Sequence, residues 1–363
     1  MSTTATKRMI EAYNQEASPM MFLSGLFRSP QVNFHSSEEV EIDIVRSDED
    51  VSIVIQDLTT GYRMNSNDIY TNKSFKPPIH KEAITLNAFD MIKRQPGQNP
   101  FESPDFRANI ISQMFSGMRK VERKIRRAME LQASQVLQSG VVALKDISGT
   151  TLYTIDYKPK SAHFPTAGTA WNAGGSTKVA DLLALINVVR NNGLVDPNIL
   201  IMGEGSFEQF VQDSDVQKRY ETRRIDLGTI SGMQMRGNGG QYRGTVEIGN
   251  YRLDIWTYGG RYKDPQTGNK VKFLADDKVI VMSDSSRLDA TFGAIPNIGN
   301  DLGVRANLIP ELPSRISNAE GGMDLSTNVW LSNDGEQLFG GVGSRPLYIP
   351  TAIDTFGCLD TGI

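Results

Sequence analysis

One cysteine, Cys358, and three histidines, His35, His80 and His163, are all that 363 residues contain of these two types. A lone cysteine cannot form an intrachain disulfide, so stability must come from packing and association, as in a chain folded in a reducing compartment. It also excludes every zinc pattern built on several cysteines, and no two histidines stand at metal-ligand spacing. The sequence lacks G-x-S-x-G, H-E-x-x-H and a glycine loop followed by a Walker lysine. No run reaches the roughly 18 apolar residues of a membrane span. The first residues, MSTTATKRMIEAYNQ, hold no apolar signal core, so the chain is expected to be soluble and cytoplasmic when made. Surplus positive charge is missing too: 38 Lys and Arg against 42 Asp and Glu give a net charge of −4. A protein dedicated to neutralising DNA phosphates would be basic, although a local patch is compatible with this balance.

What is present is enough for folded domains. Apolar residues make up 39% and charged residues 22%, and the length suits two or three structural units. Thr6 to Ala17 can form a short amphipathic helix. PMMFLSGLF, from Pro19 to Phe27, is too short for a core helix and too apolar to sit in water. Two roles fit it: an arm folded onto its own domain, or an arm docked on another subunit through Phe22, Leu23, Leu26 and Phe27. EEVEIDIV alternates, with Val40, Ile42 and Ile44 on one face and Glu39, Glu41 and Asp43 on the other, which is the pattern of a half-buried strand. Val51 to Ile55 reads as a second strand. A polar excursion from Leu58 to Ser74 follows, and FKPPIHKEAITL returns to strand through Pro77 and Pro78.

Ser103 to Gly140 carries the clearest periodicity. Ser103 and Pro104 suit an N-cap and a first helical position, and Gly140 suits a left-handed C-cap. Between them Ile110, Ile111, Met114, Phe115, Met118, Val121, Ile125, Ala128, Met129, Ala133 and Val136 recur at steps of three and four. Arg119, Lys120, Arg123, Lys124, Arg126 and Arg127 fall on the opposite side. A hairpin about Ser148-Gly149-Thr150 is expected next. Then come a helix KVADLLALINVVRNN capped by Ser176 and stopped by Gly193, a buried strand NILIMGE, and a largely helical SFEQFVQDSDVQKRYETRR. NYRLDIWTYGG and KVKFLADDKVIVMS read as strands about the turn Asp264–Gly268. The last sixty or so residues are rich in Gly, Pro and Asn, with short strands such as PLYIP.

Candidate chemistry is thin. Seven carboxylates crowd Glu38 to Asp50, but a strand-face pattern explains them without catalysis. Gly237–Gly240 and Gly340–Gly343 read as turns or close packing rather than phosphate cradles. The cations of the long helix are either a solvated face or a contact with acidic neighbours or packaged DNA.

The order of arm, excursion, long helix, compact α/β unit and returning C-terminal segment resembles the Hong Kong 97-type capsid fold of tailed phages, an α+β class. Local sequence resembles the lambda-like major capsid protein E family: PMMFLSGLF, FKPPIHKEAITL, the VQKRYETRR segment between Val211 and Arg224, and most specifically Tyr251 to Ser283 with its Leu274-Ala275-Asp276-Asp277 turn. The resemblance implies a structural capsid subunit, not an enzyme, without cofactor or metal. Implied regions are an N-terminal arm and strand (1–45), an extended loop (46–102), a peripheral domain with the spine helix (103–175), an axial domain (176–300) and a returning segment (301–363). Implied partners are further copies in hexamers and pentamers of an icosahedral shell, portal and scaffolding proteins, a decoration protein in some relatives, and packaged DNA on the inner face, with no membrane. Contact candidates between subunits are Phe22, Leu23, Leu26, Phe27, Tyr62, Tyr70, Lys76, Arg119, Arg123, Arg126, Arg127, Arg223 and Arg224. An enzyme with an unrecognised site and a DNA-binding protein are the competing classes; closed shells by electron microscopy, discrete small oligomers, or salt-dependent DNA retention distinguish the three.

Some relatives of this fold join subunits by Lys–Asn isopeptide bonds, whereas the lambda-like resemblance implies shells held without covalent bonds. Mature particles are therefore expected to dissolve to one band near 40.1 kDa in denaturing gels, and a ladder of multimers would contradict this.

Overall fold

The computed structural model describes residues 19–29, 34–35, 40–44, 71–87, 89, 106–145, 148–218, 220–221, 224–226, 229–231, 239–293, 295, 324–332, 334 and 336–363. A 3-10 turn at Ser24–Leu26 precedes strands β1 (Phe34–His35), β2 (Val40–Ile44), β3 (Thr71–Phe75) and β4 (His80–Asn87). Helix α1 spans Phe106–Ser139 and is followed by the hairpin β5 (Val141–Lys145) and β6 (Thr151–Asp156). Next come α2 (Lys178–Gly193), β7 (Ile199–Met202), α3 (Glu204–Val211), α4 (Ser214–Gln217) and the short strands β8 (Tyr220–Glu221), β9 (Arg224–Asp226) and β10 (Thr229–Ser231). The strands β11 (Gly240–Ile248), β12 (Tyr251–Tyr258), β13 (Arg261–Lys263), β14 (Lys270–Lys272), β15 (Lys278–Met282) and β16 (Leu288–Gly293) follow. The chain ends on β17 (Ser326–Leu331), β18 (Gln337–Ser344), β19 (Pro346–Pro350) and β20 (Phe356–Asp360).

A six-stranded mixed sheet, β20-β15-β7-β12-β11-β8, forms the centre. Side chains alternate across a strand, and here both faces are buried. Leu200, Met202, Val279, Val281 and Leu253 join a core under α2, made with Leu182, Leu185, Ile186 and Val189. Ile201, Ile280, Met282, Phe356 and Cys358 join a second core shared with α1. Two three-stranded sheets complete that side, β1-β16-β19 and β17-β18-β4.

The stripe expected of α1 is present: Met114, Val121, Ile125, Met129, Ala133 and Val136 are buried, and Arg119, Lys120 and Lys124 are exposed. At 34 residues the helix is about 51 Å long. Gly140, at φ 67°, ends it, its N–H donating to Val136 O at 2.8 Å. Ser103 and Pro104, like Thr6 to Ala17 and Val51 to Ile55, lie outside the described residues.

Four local expectations need correction. VQKRYETRR leaves the helix after Gln217 and enters strands β8 and β9. KVKFLADDKVIVMS is two strands, β14 and β15, because Leu274–Asp277 turns the chain between hairpin and central sheet. The left-handed residue ending α2 is Leu194, at φ 55°, while Gly193 is still helical and lies so close to the Asp354 carbonyl that a Cβ would not fit. The N-cap of α2 is Thr177, not Ser176, and its hydroxyl donates to Asp181 Oδ1 at 3.1 Å.

Gly117 has a packing reason. A Cβ there would run into Cδ1 of Ile84 on β4, the strand laid along α1. Gly117→Ala gains about 1 kcal/mol of helix propensity but overpacks against Ile84, which costs about 1–3 kcal/mol. The expected outcome is a net loss of stability in the wild-type chain. Ile84→Val removes Cδ1, so in that background Gly117→Ala should be neutral or stabilising. A double-mutant cycle by urea unfolding reads the change of sign; equal effects in both backgrounds would rule out Ile84 as the constraint.

Candidate functional site

From Met129 to Gln138 no residue of α1 is exposed, and most are buried. Besides the apolar stripe, Glu130, Gln132 and Ser134 have no exposure. Buried polar groups need partners, and two of these three find them on the backbone of other segments. Glu130 Oε1 accepts from Leu23 N at 2.8 Å, and Oε2 accepts from Ser24 N at 2.9 Å and from Ser24 Oγ at 2.5 Å. The carboxylate thereby holds the first two donors of the 3-10 turn, and PMMFLSGLF is fastened to the last third of the long helix. Burial pushes the Glu130 carboxyl above the usual carboxylate range, opposed by the Ser24, Leu23 and Tyr258 hydrogen bonds.

One helical turn further on, Ser134 Oγ donates to Phe273 O. Gln138 Nε2 donates to the same carbonyl at 2.9 Å, and Gln138 Oε1 accepts from Ala275 N at 3.1 Å. The Leu274–Asp277 turn is thus held by α1 on one side. On the other, Ser206 N, near the start of α3, donates to Asp276 O at 2.8 Å, and Thr361 N donates to Asp277 O at 2.8 Å. Lys278 pairs with Asp360 at 2.7 Å. Spine helix, central sheet, α3 and the C-terminal strand meet at this turn. Glu130, Ser134 and Gln138, one turn apart on a single row, were missed by periodicity because they flank the apolar stripe. The available signal was charge depletion: between Arg127 and Lys145, Glu130 is the one charged residue.

The expected contact residues divide. Phe22, Leu23 and Phe27 are buried within their own chain, Phe22 tilted against Trp256 and Tyr258 and Phe27 edge-on to Tyr348 at 5.0 Å. Leu26 packs partly buried against the same core. Of the two roles open to the segment, Phe22, Leu23 and Phe27 take the intrachain one, which corrects their assignment as contacts between subunits, while Leu26 keeps part of its surface outside the core. Arg126 is also engaged internally, with Glu122 at 3.0 Å and Asp324 at 3.2 Å. Arg119 and Lys76 are exposed, and Arg123 and Arg127 half-buried. Arg224 lies in β9, opposite Ser231; Tyr62, Tyr70 and Arg223 lie outside the described residues.

Groups with reactive chemistry are used for packing. Burial pushes the Cys358 thiol up to about 12, far from the range of a nucleophile. His163, fully buried, bonds through Nδ1 to Phe356 O at 2.8 Å and through Nε2 to Asn192 at 3.1 Å. No group of three metal-capable side chains occurs among the described residues, and none of the described helices is long and apolar enough to cross a membrane.

The model of the family described as phage major capsid protein E matches residues 5–357. The chain belongs to this family. It is a structural protein of the phage capsid shell, and its place is the virion. Among solved structures it is similar to a prophage protein of E. coli CFT073 assigned as a capsid protein, with a TM-score of 0.58 and 18% identity over 81% of this chain and 79% of that one. It is also similar to the capsid of Ralstonia phage GP4, with a TM-score of 0.52 and 11% identity over 99% of this chain and 91% of that one. The shared fold is the Hong Kong 97 type. A search of curated sequences finds no match.

Glu130 gives a stability test for this capsid protein. Glu130→Ala leaves two buried N–H groups without an acceptor, at about 1–3 kcal/mol each, so urea unfolding should show a loss of about 2–4 kcal/mol. Docking raises the carboxyl above its unfolded value, so the ionised form disfavours folding. Its contribution therefore improves as pH falls through the folded pKa and is lost as pH rises through it. Glu130→Gln should flatten that part of the pH profile. Phe22→Asp with Phe27→Asp should unfold or aggregate the subunit; a folded subunit with an unchanged melt would restore the arm as an external contact.

Proposed function

We propose that the chain self-assembles, as hexamers and pentamers, into the icosahedral head shell that encloses the phage double-stranded DNA, and that it has no enzymatic activity. The family match over residues 5–357 carries the proposal. In this reading α1 is the spine of a peripheral domain spanning 103–175, and residues 176–300, with the α2-covered face of the central sheet, form the axial domain. The region 46–102 is an extended loop whose return strand is β4, residues 1–45 are arm and strand, and 301–363 return across both domains. One chain must occupy several slightly different environments in such a shell, which a rigid body with extended segments supports. Assembly takes place in the host cytoplasm, with portal, scaffolding and, where present, decoration proteins as partners. DNA lies against the inner face without sequence readout. The exposed Arg119, Lys120 and Lys124 of α1 remain candidates for contact with neighbours or DNA.

Electron microscopy of the expressed chain, alone and with the phage scaffolding protein, tests the proposal. Uniform closed shells are expected. Discrete small oligomers under both conditions would overturn it. Retention of unassembled subunits on DNA, weakening steeply with salt, would instead favour a nucleic-acid-binding role.

A further inference from the structure

Two hairpin tips stand together on the surface. Gln266 Nε2, in the β13–β14 turn, donates to Ser148 O in the β5–β6 turn at 3.1 Å. Gly149, at φ 84°, lies so close under the Gln266 amide that a Cβ there would push the amide aside. The β13–β14 turn is itself braced: Asp264 accepts from Gln266 N at 3.1 Å and from Thr267 Oγ1 at 2.9 Å. The two tips therefore behave as one braced unit.

This unit presents side chains that its own chain does not use. In β5–β6, Leu144 pairs with Tyr153 and Lys145 with Thr151, so Leu152 is an extra residue in a bulge. Bulges re-aim side chains, and this one leaves Leu152 74% exposed. Val271 on β14 is 39% exposed. Lys263 and Lys270 stand directly opposite each other across β13–β14, both exposed. Like charges in that relation are destabilising. The neighbouring pair, Arg261 opposite Lys272, is offset by Glu204, at 3.6 and 2.5 Å, and by Asp276 at 2.6 Å from Lys272. No carboxylate among the described residues lies within ion-pair distance of Lys263 or Lys270.

We propose that the joined β5–β6 and β13–β14 tips are a contact on a second copy of this chain, with Leu152 as its apolar anchor and Lys263 and Lys270 facing carboxylates of that copy. The inference rests on the capsid reading, which supplies many copies. The sequence has carboxylates to offer: Glu38, Glu39, Glu41, Asp43, Asp48, Glu49 and Asp50 stand against one Arg46 in thirteen positions, and the net charge is −4. A protein partner fits better than DNA because an outward leucine contributes nothing to phosphate binding, whereas an apolar anchor with a polar, charged periphery is the usual make-up of a protein contact.

Two measurements test this. A cryo-electron microscopy map of wild-type shells should place Leu152 in van der Waals contact with a neighbouring copy and Lys263 or Lys270 within ion-pair distance of that copy's carboxylates. Leu152→Ser with Lys263→Ser and Lys270→Ser should fold with an unchanged melt and lower shell yield about tenfold, and Lys263→Ser with Lys270→Ser alone should make assembly less dependent on salt. A map with the tips in solvent, or wild-type yield from the triple variant, would overturn the proposal. Normal shells that have lost salt-sensitive DNA retention would overturn it in favour of a phosphate contact. Wild-type protein that forms no shells would sink the capsid reading and this inference with it; shells with solvent-exposed tips would sink the inference alone.

Discussion

A carboxylate with no exposure, in the last third of α1, fixes much of the architecture. Glu130 cannot be left unpaired in that position without a large desolvation cost. Its acceptors are satisfied by the backbone of Leu23 and Ser24, so the segment before β1 has one place to lie. Once that turn is seated, Phe22 reaches Trp256 and Tyr258 on the central sheet, and Phe27 reaches Tyr348 on β19. Arg28 N then donates to Leu288 O at 2.8 Å, joining the segment to β16. A segment that reads in the sequence as a detachable arm is thereby tied to helix, sheet and C-terminal strand together.

The same logic operates one and two turns along α1, where Ser134 and Gln138 hold the Leu274–Asp277 turn. That turn also accepts hydrogen bonds from Ser206 and Thr361. The central sheet therefore packs against α1 through Ile201, Ile280 and Met282 and is also fixed in register along the helix by directional bonds. Apolar burial gives most of the stabilisation, but it is non-directional. The polar row on α1 selects one relative placement of helix and sheet, a role attested for some buried polar groups. For a subunit repeated many times in a closed shell, a small error in that placement would recur at every copy.

Much of this was legible in the sequence where one period dominates. The α1 stripe, the hairpin about Gly149 and the strand Tyr251–Tyr258 follow from spacing and turn residues, and the Tyr251 to Ser283 resemblance pointed to the family. The arm was ambiguous because apolar density does not say whose core receives it. The deciding residue, Glu130, lies 106 positions from Ser24, beyond the reach of any local pattern. The Leu274–Asp277 turn was legible only through the resemblance, because Phe273, Leu274 and Ala275 carry the strand-like apolar pattern up to its two aspartates, and the path of VQKRYETRR was hidden because helix and strand meet inside one polar run. Gly340 and Gly341 lie in β18 rather than in a turn. The first gives room to Met114 of α1 and the second to Trp330 on the opposite face, a close-packing role that only the register reveals. Tyr62, Tyr70 and Arg223 lie outside the described residues, so their proposed contacts rest on the sequence alone.

Placing the arm's apolar residues in the intrachain core changes where assembly energy can arise. Burial of Phe22, Leu23 and Phe27 contributes when the subunit folds, at about 1.5–3 kcal/mol for each fully buried side chain, and nothing further when subunits meet. Contacts between copies must then use what the folded chain leaves outside. Among described residues the large apolar side chains still in water include Ile79 at 55% and Phe89 at 78%, flanking β4, Leu152 at 74% on its bulge, and Trp330 at 40%, stacked on Phe339. They are carried by separate elements: the flanks of β4, the β5–β6 bulge and β17. A chain with one large patch would associate indiscriminately. Several small ones, each needing its own complement, contribute together only when neighbours are correctly placed, which couples shell geometry to shell stability.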